Sequence, residues 1–510
     1  MLTLTIIRAH GEVFEPDESW LGLLQSIAAE PRVDVLAQRY RWALTASCLK
    51  LHPITATGEE ASLPRDERPW RTGVPGHSVD ATYRRKVTQM HFEIIGVAAL
   101  EILDSRGRPT LQTTVTLSDG TTAVAGVPSG ASTGTREAVE LRDGDTTRFG
   151  GSGVLTAVSN VNGEIADLLK GQRWQSLAAV DEAMVAADGT PNKARLGANA
   201  TVGVSMALAR ALAAASRQPL HVWLPGFGQS PRIPVPCFNV LNGGAHAPNA
   251  LDFQEFMISP LGSPSVAEAV RAGAEVYAAL RKRLTAAGHA TGLGDEGGFA
   301  PQLTEPEEVL EVIVAAITDA GYATGRSGIA IALDPAASEF RDEDGIYHVS
   351  GQQLSSADMI ERYAAMVERY PVWSIEDGLG ESDHQGWQAL TARLGDSVQL
   401  VGDDNFCTNP AIITTAIADG ICNAALIKLN QIGTVSETLE AMAVCHRAGY
   451  AQMVSHRSGE TPDSFIADLA VGTGCGQIKT GAPARGERVA KYNRLIEISA
   501  GNADLPYGLG

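Results

Sequence analysis

The sequence lacks the features that mark secreted, membrane-spanning and nucleic-acid-binding proteins. Its six cysteines are scattered over 510 residues and form no C-x-x-C pair, which argues against a disulfide framework or a zinc site. No apolar run reaches the roughly 18 residues that span a bilayer, and the apolar N-terminal stretch is too short for a signal peptide. We therefore expect a cytoplasmic protein with reduced, buried thiols and no membrane insertion.

Positive charge is also in short supply. The chain has 40 basic and 59 acidic residues, so its net charge of −19 repels nucleic acid and anionic membranes. The same field repels a free phosphorylated substrate, so a site for such an anion needs local cations. We expect no nucleic-acid partner.

Aromatic residues make up only 5% of the chain, whereas aliphatic residues and glycine are abundant. A hydrophobic fraction of 44% over this length is ample for two or more domains with buried cores. A core built mostly from aliphatic side chains favours an α/β architecture.

Residues 1–90 differ in style from the rest of the chain. Residues 21–44 carry a helical pattern, but residues 55–85 are polar and contain three prolines, which is typical of a linker or of disorder. We expect this N-terminal extension to be poorly ordered or to reflect a misassigned start. A smaller α+β domain is predicted over residues 91–229, where strand patterns precede helical ones.

From residue 230 to residue 510, short apolar runs alternate with helical patterns, which predicts parallel strands in a barrel of strand–helix units. Each of six runs is followed by a charged residue at the expected carboxyl end of its strand. In order, these charges are Asp334, Glu376, Asp403, Lys428, Arg457 and Lys479. Because the active site of such a barrel lies at that end of the strands, we expect the six side chains to converge.

The order of these charges predicts a chemistry. Three converging carboxylates repel one another unless a hard divalent cation lies between them, and an all-oxygen ligand set favours magnesium over zinc. Lys428 and Lys479 follow later strands of the same barrel, and a buried lysine beside a metal and a second cation can lose its proton and act as a base. Such a site suits removal of a proton from the carbon beside a carboxylate, with Lys479 and the metal stabilising the developing charge.

Long motifs resemble those of the enolase family, in the family's order, from about Met90 to about residue 500. Examples are Gly294-Asp-Glu-Gly-Gly-Phe-Ala-Pro301 and Lys428-Leu-Asn-Gln-Ile-Gly433. The other matching segments are residues 104–110, 127–134, 333–340, 374–377, 455–461 and 478–483. The resemblance implies an enolase-type (β/α)8 barrel preceded by the α+β domain. It also implies a magnesium-dependent hydro-lyase of glycolysis and gluconeogenesis, which converts 2-phospho-D-glycerate to phosphoenolpyruvate.

The resemblance also implies a role for each matching residue. Asp334, Glu376 and Asp403 hold one Mg²⁺, and Ser132 on a mobile loop helps to hold a second that arrives with substrate. Lys428 is the base, and Glu296 is the acid, with Glu255 assisting it. The residues expected to contact substrate are His246, Gln254, Glu255, Lys479 and, at the phosphate, Arg457 and Ser458. A homodimer or an octamer built from dimers is expected.

Several positions depart from the family pattern, notably Arg108, Asn405, Cys407 and the segments 149–153 and 247–249. These departures leave open a paralogue that acts on a related phosphonate or phospho-carboxylate in secondary metabolism. A binding protein that kept the shell without catalysis is a further alternative, although every expected catalytic residue is present. Substrate tests separate the two enzymes, and any turnover excludes the binding protein.

Overall fold

The computed structural model describes residues 6–7, 13–14, 91–131, 134–225, 227 and 229–509. The extension expected at residues 1–90 lies outside them, apart from two short strands. These strands, β1 (Ile6–Ile7) and β2 (Val13–Phe14), pair antiparallel with each other.

A four-stranded antiparallel sheet follows, in the order β5–β4–β3–β6. Its strands are β3 (Phe92–Leu103), β4 (Pro109–Leu117), β5 (Thr122–Gly126) and β6 (Arg173–Trp174). Along β4 alternate side chains are buried, because successive residues of a strand point to opposite faces and only one face meets the helices. A tight turn at residues 118–120 joins β4 to β5, and Gly120 there has φ of 88°.

Helices pack on the buried face of this sheet. The first of them is one continuous run of α1 (Leu155–Asn160), a π-helical turn (Val161–Ile165) and α2 (Ala166–Leu169). It is followed by α3 (Leu177–Asp188), α4 (Ala198–Ala215) and α5 (Leu220–Trp223). Among the described residues, only α4 is long and apolar enough to cross a membrane, but 83% of it is buried inside the protein. It is the central core helix of this region.

Eight strands close into a barrel over the C-terminal part of the chain. They are β7 (Val235–Asn242), β8 (Glu255–Ser259), β9 (Ala330–Asp334), β12 (Val372–Glu376), β13 (Gln399–Gly402), β14 (Ala424–Ile427), β15 (Ala451–Ser455) and β16 (Gly476–Lys479). A small hairpin of β10 (Tyr347–Val349) and β11 (Gln352–Leu354) lies outside the barrel sheet. All six apolar runs of the sequence are barrel strands, and they run parallel, as predicted.

One strand of the barrel runs the other way. Strand β8 pairs antiparallel with both β7 and β9, since only the loop of residues 243–254 joins it to β7 and a parallel pair needs a longer crossover. Its first residue, Glu255, therefore lies opposite Asp334, the last residue of β9. The reversal brings the amino end of β8 to the edge where the other strands end.

The outer layer of the barrel is helical. It consists of α6 (Val266–Ala286), α7 (Pro306–Asp319), α8 (Ser356–Arg369), α9 (His384–Leu394), α10 (Pro410–Ala418), α11 (Leu429–Ile432), α12 (Val435–Ala448), α13 (Phe465–Thr473) and α14 (Gly486–Gly501). Side-chain caps fix several starts, such as the capping box of Ser355 and Asp358 at α8. The barrel interior is filled by buried side chains, among them Met257, Trp373 and Met453. The free thiols among the described residues are mostly buried, as expected.

Candidate active site

The charged residues predicted to converge lie together at one edge of the barrel. Asp334, Glu376 and Lys479 are the last residues of β9, β12 and β16, and Asp403 and Lys428 immediately follow β13 and β14. A buried pocket at this edge has a lining of His246, Gln254, Glu255, Glu296, Asp334, Lys428, Ser455, His456, Arg457, Ser458 and Lys479. The parallel strands account for this convergence, because each ends at the same level of the closed sheet.

Two lysines balance part of the negative charge. The Lys479 ammonium lies 2.6 Å from Oε1 of Glu376, 3.1 Å from Oδ2 of Asp334 and 3.4 Å from Oε1 of Glu255. Burial disfavours its charge, but these carboxylates raise the pKa of Lys479 well above its usual value. Lys428 pairs in the same way with Oδ2 of Asp403.

The carboxylates of Asp334, Glu376 and Asp403 fit a hard divalent cation. Burial and repulsion from Asp334 raise the pKa of Glu376 well above its usual value, which shows an excess of negative charge at this point. Oε2 of Glu376 is buried and has no hydrogen-bond partner, so one ligand oxygen is available. The donor set contains only oxygen atoms, which is what Mg²⁺ prefers.

Among the described residues, two groups of three side chains each bring possible metal-ligand atoms within 4.8 Å of one another inside the group. One group is Asp377, Asp403 and Asp404, and the other is His246, Glu255 and Glu296. Asp377 accepts hydrogen bonds from the backbone N–H groups of Asp403 and Asp404, at 2.9 and 3.0 Å. Its carboxylate thus shapes the loop that carries Asp403.

Two further buried carboxylates of the pocket, Glu255 and Glu296, have pKa values displaced in opposite directions. Burial and the nearby Glu296 raise the pKa of Glu255 well above its usual value. Burial also acts to raise the pKa of Glu296, but the imidazoles of His456 and His246 lower it well below its usual value. In this arrangement Glu255 therefore binds a proton more readily than Glu296 does.

Two histidines lie beside these carboxylates. Nδ1 of His246 lies 3.7 Å from Oε1 of Glu255 and 3.8 Å from Oε1 of Glu296, while its Nε2 lies 2.9 Å from the Ser458 hydroxyl. Burial lowers the pKa of His246, and it lowers that of His456 to about 3. Both imidazoles are therefore neutral, so they serve as hydrogen-bonding groups. Gln254 is buried in the same wall, and its Oε1 has no partner.

The expected phosphate-binding side consists of Arg457 and Ser458, in the segment after β15. The Arg457 guanidinium makes a two-pronged contact with Glu137, at 2.9 and 3.2 Å, and donates to Oδ1 of Asn430 at 2.9 Å. The guanidinium is thus held in one orientation inside the protein. A guanidinium in a fixed orientation is suited to donate hydrogen bonds to the oxygens of a phosphate.

Ser132, expected on a mobile loop, lies outside the described residues, but both flanks of that loop are fixed. Ser129 and Gly459 exchange two backbone hydrogen bonds, at 2.7 and 2.9 Å. Arg106 donates to the carbonyl of Gly130 at 2.8 Å. On the other flank, the Gly134 N–H donates to Glu137. The ends of the loop are thus attached to the segment that carries Arg457 and Ser458.

Several site residues have no role in the sequence-based prediction. Asp377, Gln431 and His456 lie inside segments that match family motifs, and this position in a motif is the signal that could have identified them. Gln431 donates to Oδ1 of Asp403 at 2.7 Å and so holds this predicted metal ligand. Glu137 follows the loop motif directly, whereas Arg488 lies beyond the last motif and has no local signal.

Fold and site together define a class of protein. It is a barrel enzyme with a preceding α+β region, in which carboxylates suited to a divalent cation lie beside two lysines and a carboxylate–histidine group. This arrangement serves proton removal beside a carboxylate.

The comparisons with known proteins name the family. The family model described as the enolase C-terminal TIM barrel domain matches residues 230–505, and that for the enolase N-terminal domain matches residues 94–224. The chain is 55% identical over 422 residues to the enolase of Rubrobacter xylanophilus, covering 82% of this chain and 97% of that protein. It is 55% identical over 414 residues to enolase 1 of Methylococcus capsulatus, covering 81% and 98%. The chain belongs to the enolase family, and the predicted fold is confirmed.

Proposed function

We propose that this chain is a hydro-lyase that removes water from 2-phospho-D-glycerate to give phosphoenolpyruvate. The observation that carries the proposal is that one pocket is lined by Lys428 and Glu296 together with Asp334, Lys479, Arg457 and Ser458. The relatives that are 55% identical are named enolases, which supports this reaction and does not favour a phosphonate-type paralogue.

The substrate is a small phosphorylated carboxylate, and cationic side chains of the pocket give it a fixed orientation. Arg457 and Ser458 bind the phosphate, since a buried guanidinium held by Glu137 and Asn430 has little freedom to lose on binding. Lys479 lies near the substrate carboxylate. His246 and Gln254 close the remaining wall.

Asp334, Glu376 and Asp403 would hold the first Mg²⁺, and Ser132 would join the second, which arrives with substrate. The ions supply positive charge beside the carboxylate on which negative charge develops. Gln431 and Asp377 keep the Asp403 carboxylate and its loop in place for this role.

Lys428 removes the carbon-bound proton. In the present arrangement the pKa of Lys428 is raised, because the Asp403 carboxylate outweighs burial, Arg457 and Lys479, all of which lower it. This differs from the lowering that a base requires. Lys428 becomes the neutral amine once the charge of Asp403 is compensated, since burial and two cationic neighbours then dominate.

Glu296 protonates the departing hydroxyl, and Glu255 assists. The substrate's own negative charge raises the pKa of Glu296, which favours its protonated form next to the hydroxyl. His246 lies within 4 Å of both carboxylates and keeps them apart by its fixed ring.

We further propose that residues 91–229 and 230–510 are separate domains, that the protein forms a homodimer or an octamer of dimers, and that it works in the cytoplasm. The net charge of −19 and the burial of α4 inside the protein support the last point.

The test is a continuous assay of purified protein with 2-phosphoglycerate and Mg²⁺, in which ultraviolet absorbance reports the enol product. We expect fast turnover that a chelator abolishes and added Mg²⁺ restores. Absence of turnover in folded protein would contradict the proposal, and turnover of a phosphonate analogue instead would establish the paralogue.

A further inference from the structure

We propose that Arg488 is a positioning residue of this site: it fixes the neutral tautomer of His456, which makes His456 a permanent donor to Oε2 of Glu296. The other oxygen, Oε1, is then the one that carries and delivers the proton. The inference rests on the proposed role of Glu296 and names the groups that prepare it.

Arg488 lies in the first turn of α14 and is completely buried. Its Nη1 lies 2.5 Å from Nδ1 of His456. The carbonyls that accept from the two Nη atoms are those of Arg457, Ser458 and Asp295, at 2.6, 2.6 and 3.2 Å. These acceptors account for all four Nη hydrogens, so the guanidinium cannot turn away from His456 without losing several buried hydrogen bonds.

Chemistry then decides the tautomer. An arginine keeps its proton in proteins and offers only donors, so Nδ1 of His456 must present its lone pair to Nη1. If Nδ1 carried hydrogen, two N–H groups would face each other at this distance. A neutral imidazole with an unprotonated Nδ1 carries its hydrogen on Nε2. Burial and the Arg488 charge also disfavour the imidazolium, and the pKa of His456 is lowered to about 3.

The Nε2–H group has a defined neighbour. Nε2 of His456 lies 3.1 Å from Oε2 of Glu296, and Nδ2 of Asn239 donates to the same oxygen at 3.0 Å. Asn239 is hydrogen-bonded to Oε2, and Nε2 of His456 lies close to the same oxygen with no hydrogen-bond partner of its own in this arrangement. With hydrogen on Nε2, neither group can accept a proton from Oε2. Oε1 instead faces Nδ1 of His246, which is buried without a hydrogen-bond partner. Oε1 can carry hydrogen without meeting a donor when Nδ1 of His246 is unprotonated and its Nε2–H donates to the Ser458 hydroxyl.

The surroundings are built around this guanidinium. A Cβ on Gly481 would come within 2.8 Å of Cδ of Arg488, and Gly481 has φ of 80°, where a larger side chain is strained. The backbone N–H of His456 donates to the carbonyl of Lys479, whose side chain contacts the carboxylates. The main chain of His456 is therefore tied to the strand that carries Lys479, and Arg488 holds its imidazole.

The direct test is the ¹⁵N spectrum of histidine-labelled wild-type protein, with His456 assigned by the signal lost in His456→Gln. We expect a neutral ring with hydrogen on Nε2 at neutral pH. A ring with hydrogen on Nδ1, or an imidazolium, overturns the proposal. This result does not depend on turnover: if 2-phosphoglycerate is not converted, the proposed function fails while the spectrum still decides the tautomer.

Variants test the consequence for catalysis. Arg488→Met removes every donor at similar length, and we expect kcat to fall about 10–100-fold with KM little changed. The pH profile of kcat should gain an acid limb, because His456 can then protonate. Arg488→Lys keeps a cationic donor and should recover part of kcat. Arg494→Gln, on the same helix but paired with Asp468, is the matched control and should keep wild-type activity.

A wild-type kcat and pH profile in folded Arg488→Met would overturn the positioning role. If Arg488→Met does not fold, the wild-type spectrum and Arg488→Lys decide: an Arg488→Lys protein with a changed tautomer and undiminished kcat would equally contradict it.

Discussion

At the scale of single residues, the site is a problem of charge held out of water. Four buried carboxylates, Asp334, Glu376, Asp403 and Glu255, face the two ammonium groups of Lys428 and Lys479. Each lysine is stabilised as a cation by these neighbours. A divalent cation bound by the carboxylates would compensate their charge and so lower the pKa of both lysines. The residue-scale predictions follow from this balance.

Lys428→Met should lower kcat by at least about 1000-fold, because the general base is removed. KM should change little, since phosphate and carboxylate contacts remain. Steady-state kinetics measure this, together with exchange of the carbon-bound proton with solvent, which should vanish. Lys282→Met replaces an exposed lysine of α6 and serves as the control. Retained proton exchange in Lys428→Met would assign the base elsewhere.

Glu376→Gln should weaken Mg²⁺ binding about 100-fold while leaving the metal-free protein at least as stable as wild type. The reason is that Glu376 repels Asp334 without a cation, whereas an amide oxygen can still accept from Lys479. Calorimetric titration and thermal unfolding with and without chelator measure the two effects. Glu361→Gln, at an exposed position, is the control. Equal Mg²⁺ stabilisation in Glu376→Gln and wild type would remove Glu376 from the ligand set.

At the scale of elements, strand direction and close backbone approach decide which residues meet. Strand β8 runs against its neighbours and so delivers Glu255 from its amino end, beside Asp334. The segment after the loop of residues 128–134 approaches the Asp403 loop closely at one glycine. A Cβ on Gly134 would lie 2.7 Å from Sγ of Cys407 and 3.1 Å from the carbonyl of Asp404.

Gly134→Ala should therefore push the end of this loop away from the Asp403 loop and lower kcat/KM roughly 10-fold or more. Adding Cys407→Ala should restore part of the loss, because the nearest clashing atom is removed. Steady-state kinetics of the single and double variants measure the coupling. Gly163→Ala, where a Cβ would meet nothing within 4 Å, is the control. If the effects of Gly134→Ala and Cys407→Ala on the free energy derived from kcat/KM simply add, this contact does not couple the two residues.

At the scale of the whole molecule, the α+β region and the barrel share buried polar contacts. Asp181 of α3 accepts hydrogen bonds from Ser205 of α4 and from the hydroxyl and backbone N–H of Ser436 of α12, at 2.9, 2.6 and 3.1 Å. Its other oxygen is buried without a partner. Burial outweighs these hydrogen bonds and raises the pKa of Asp181 to about 7.

Because the folded pKa of Asp181 is raised, the folded state binds this proton more tightly than the unfolded state. The resulting stability is fully present below about pH 4 and is lost as pH rises through about 7. Asp181→Asn should remove this dependence. The free energy of unfolding of the variant minus that of wild type should be about 2 kcal/mol larger at pH 8 than at pH 5, because only the wild type loses stability between these pH values. Denaturant unfolding at both pH values measures the difference, with exposed Asp167→Asn as the control. The same offset at both pH values would show that Asp181 is not protonated on folding.

The sequence by itself determined the strand–helix alternation, the six barrel strands and the charged residue at the end of each. Local apolar runs and their terminal charges encode these features directly. Matching motifs also carried the resemblance that the family comparisons confirm.

Only the tertiary structure decided the reversed direction of β8, the contact of Glu137 with Arg457, the contact of Arg488 with His456 and the buried position of Asp181. Each depends on groups far apart in the chain, which no local period or propensity relates. The protonation of Lys428, Glu255 and Glu296 belongs with these, because a pKa is set by burial and by neighbouring charges that only the closed barrel brings together.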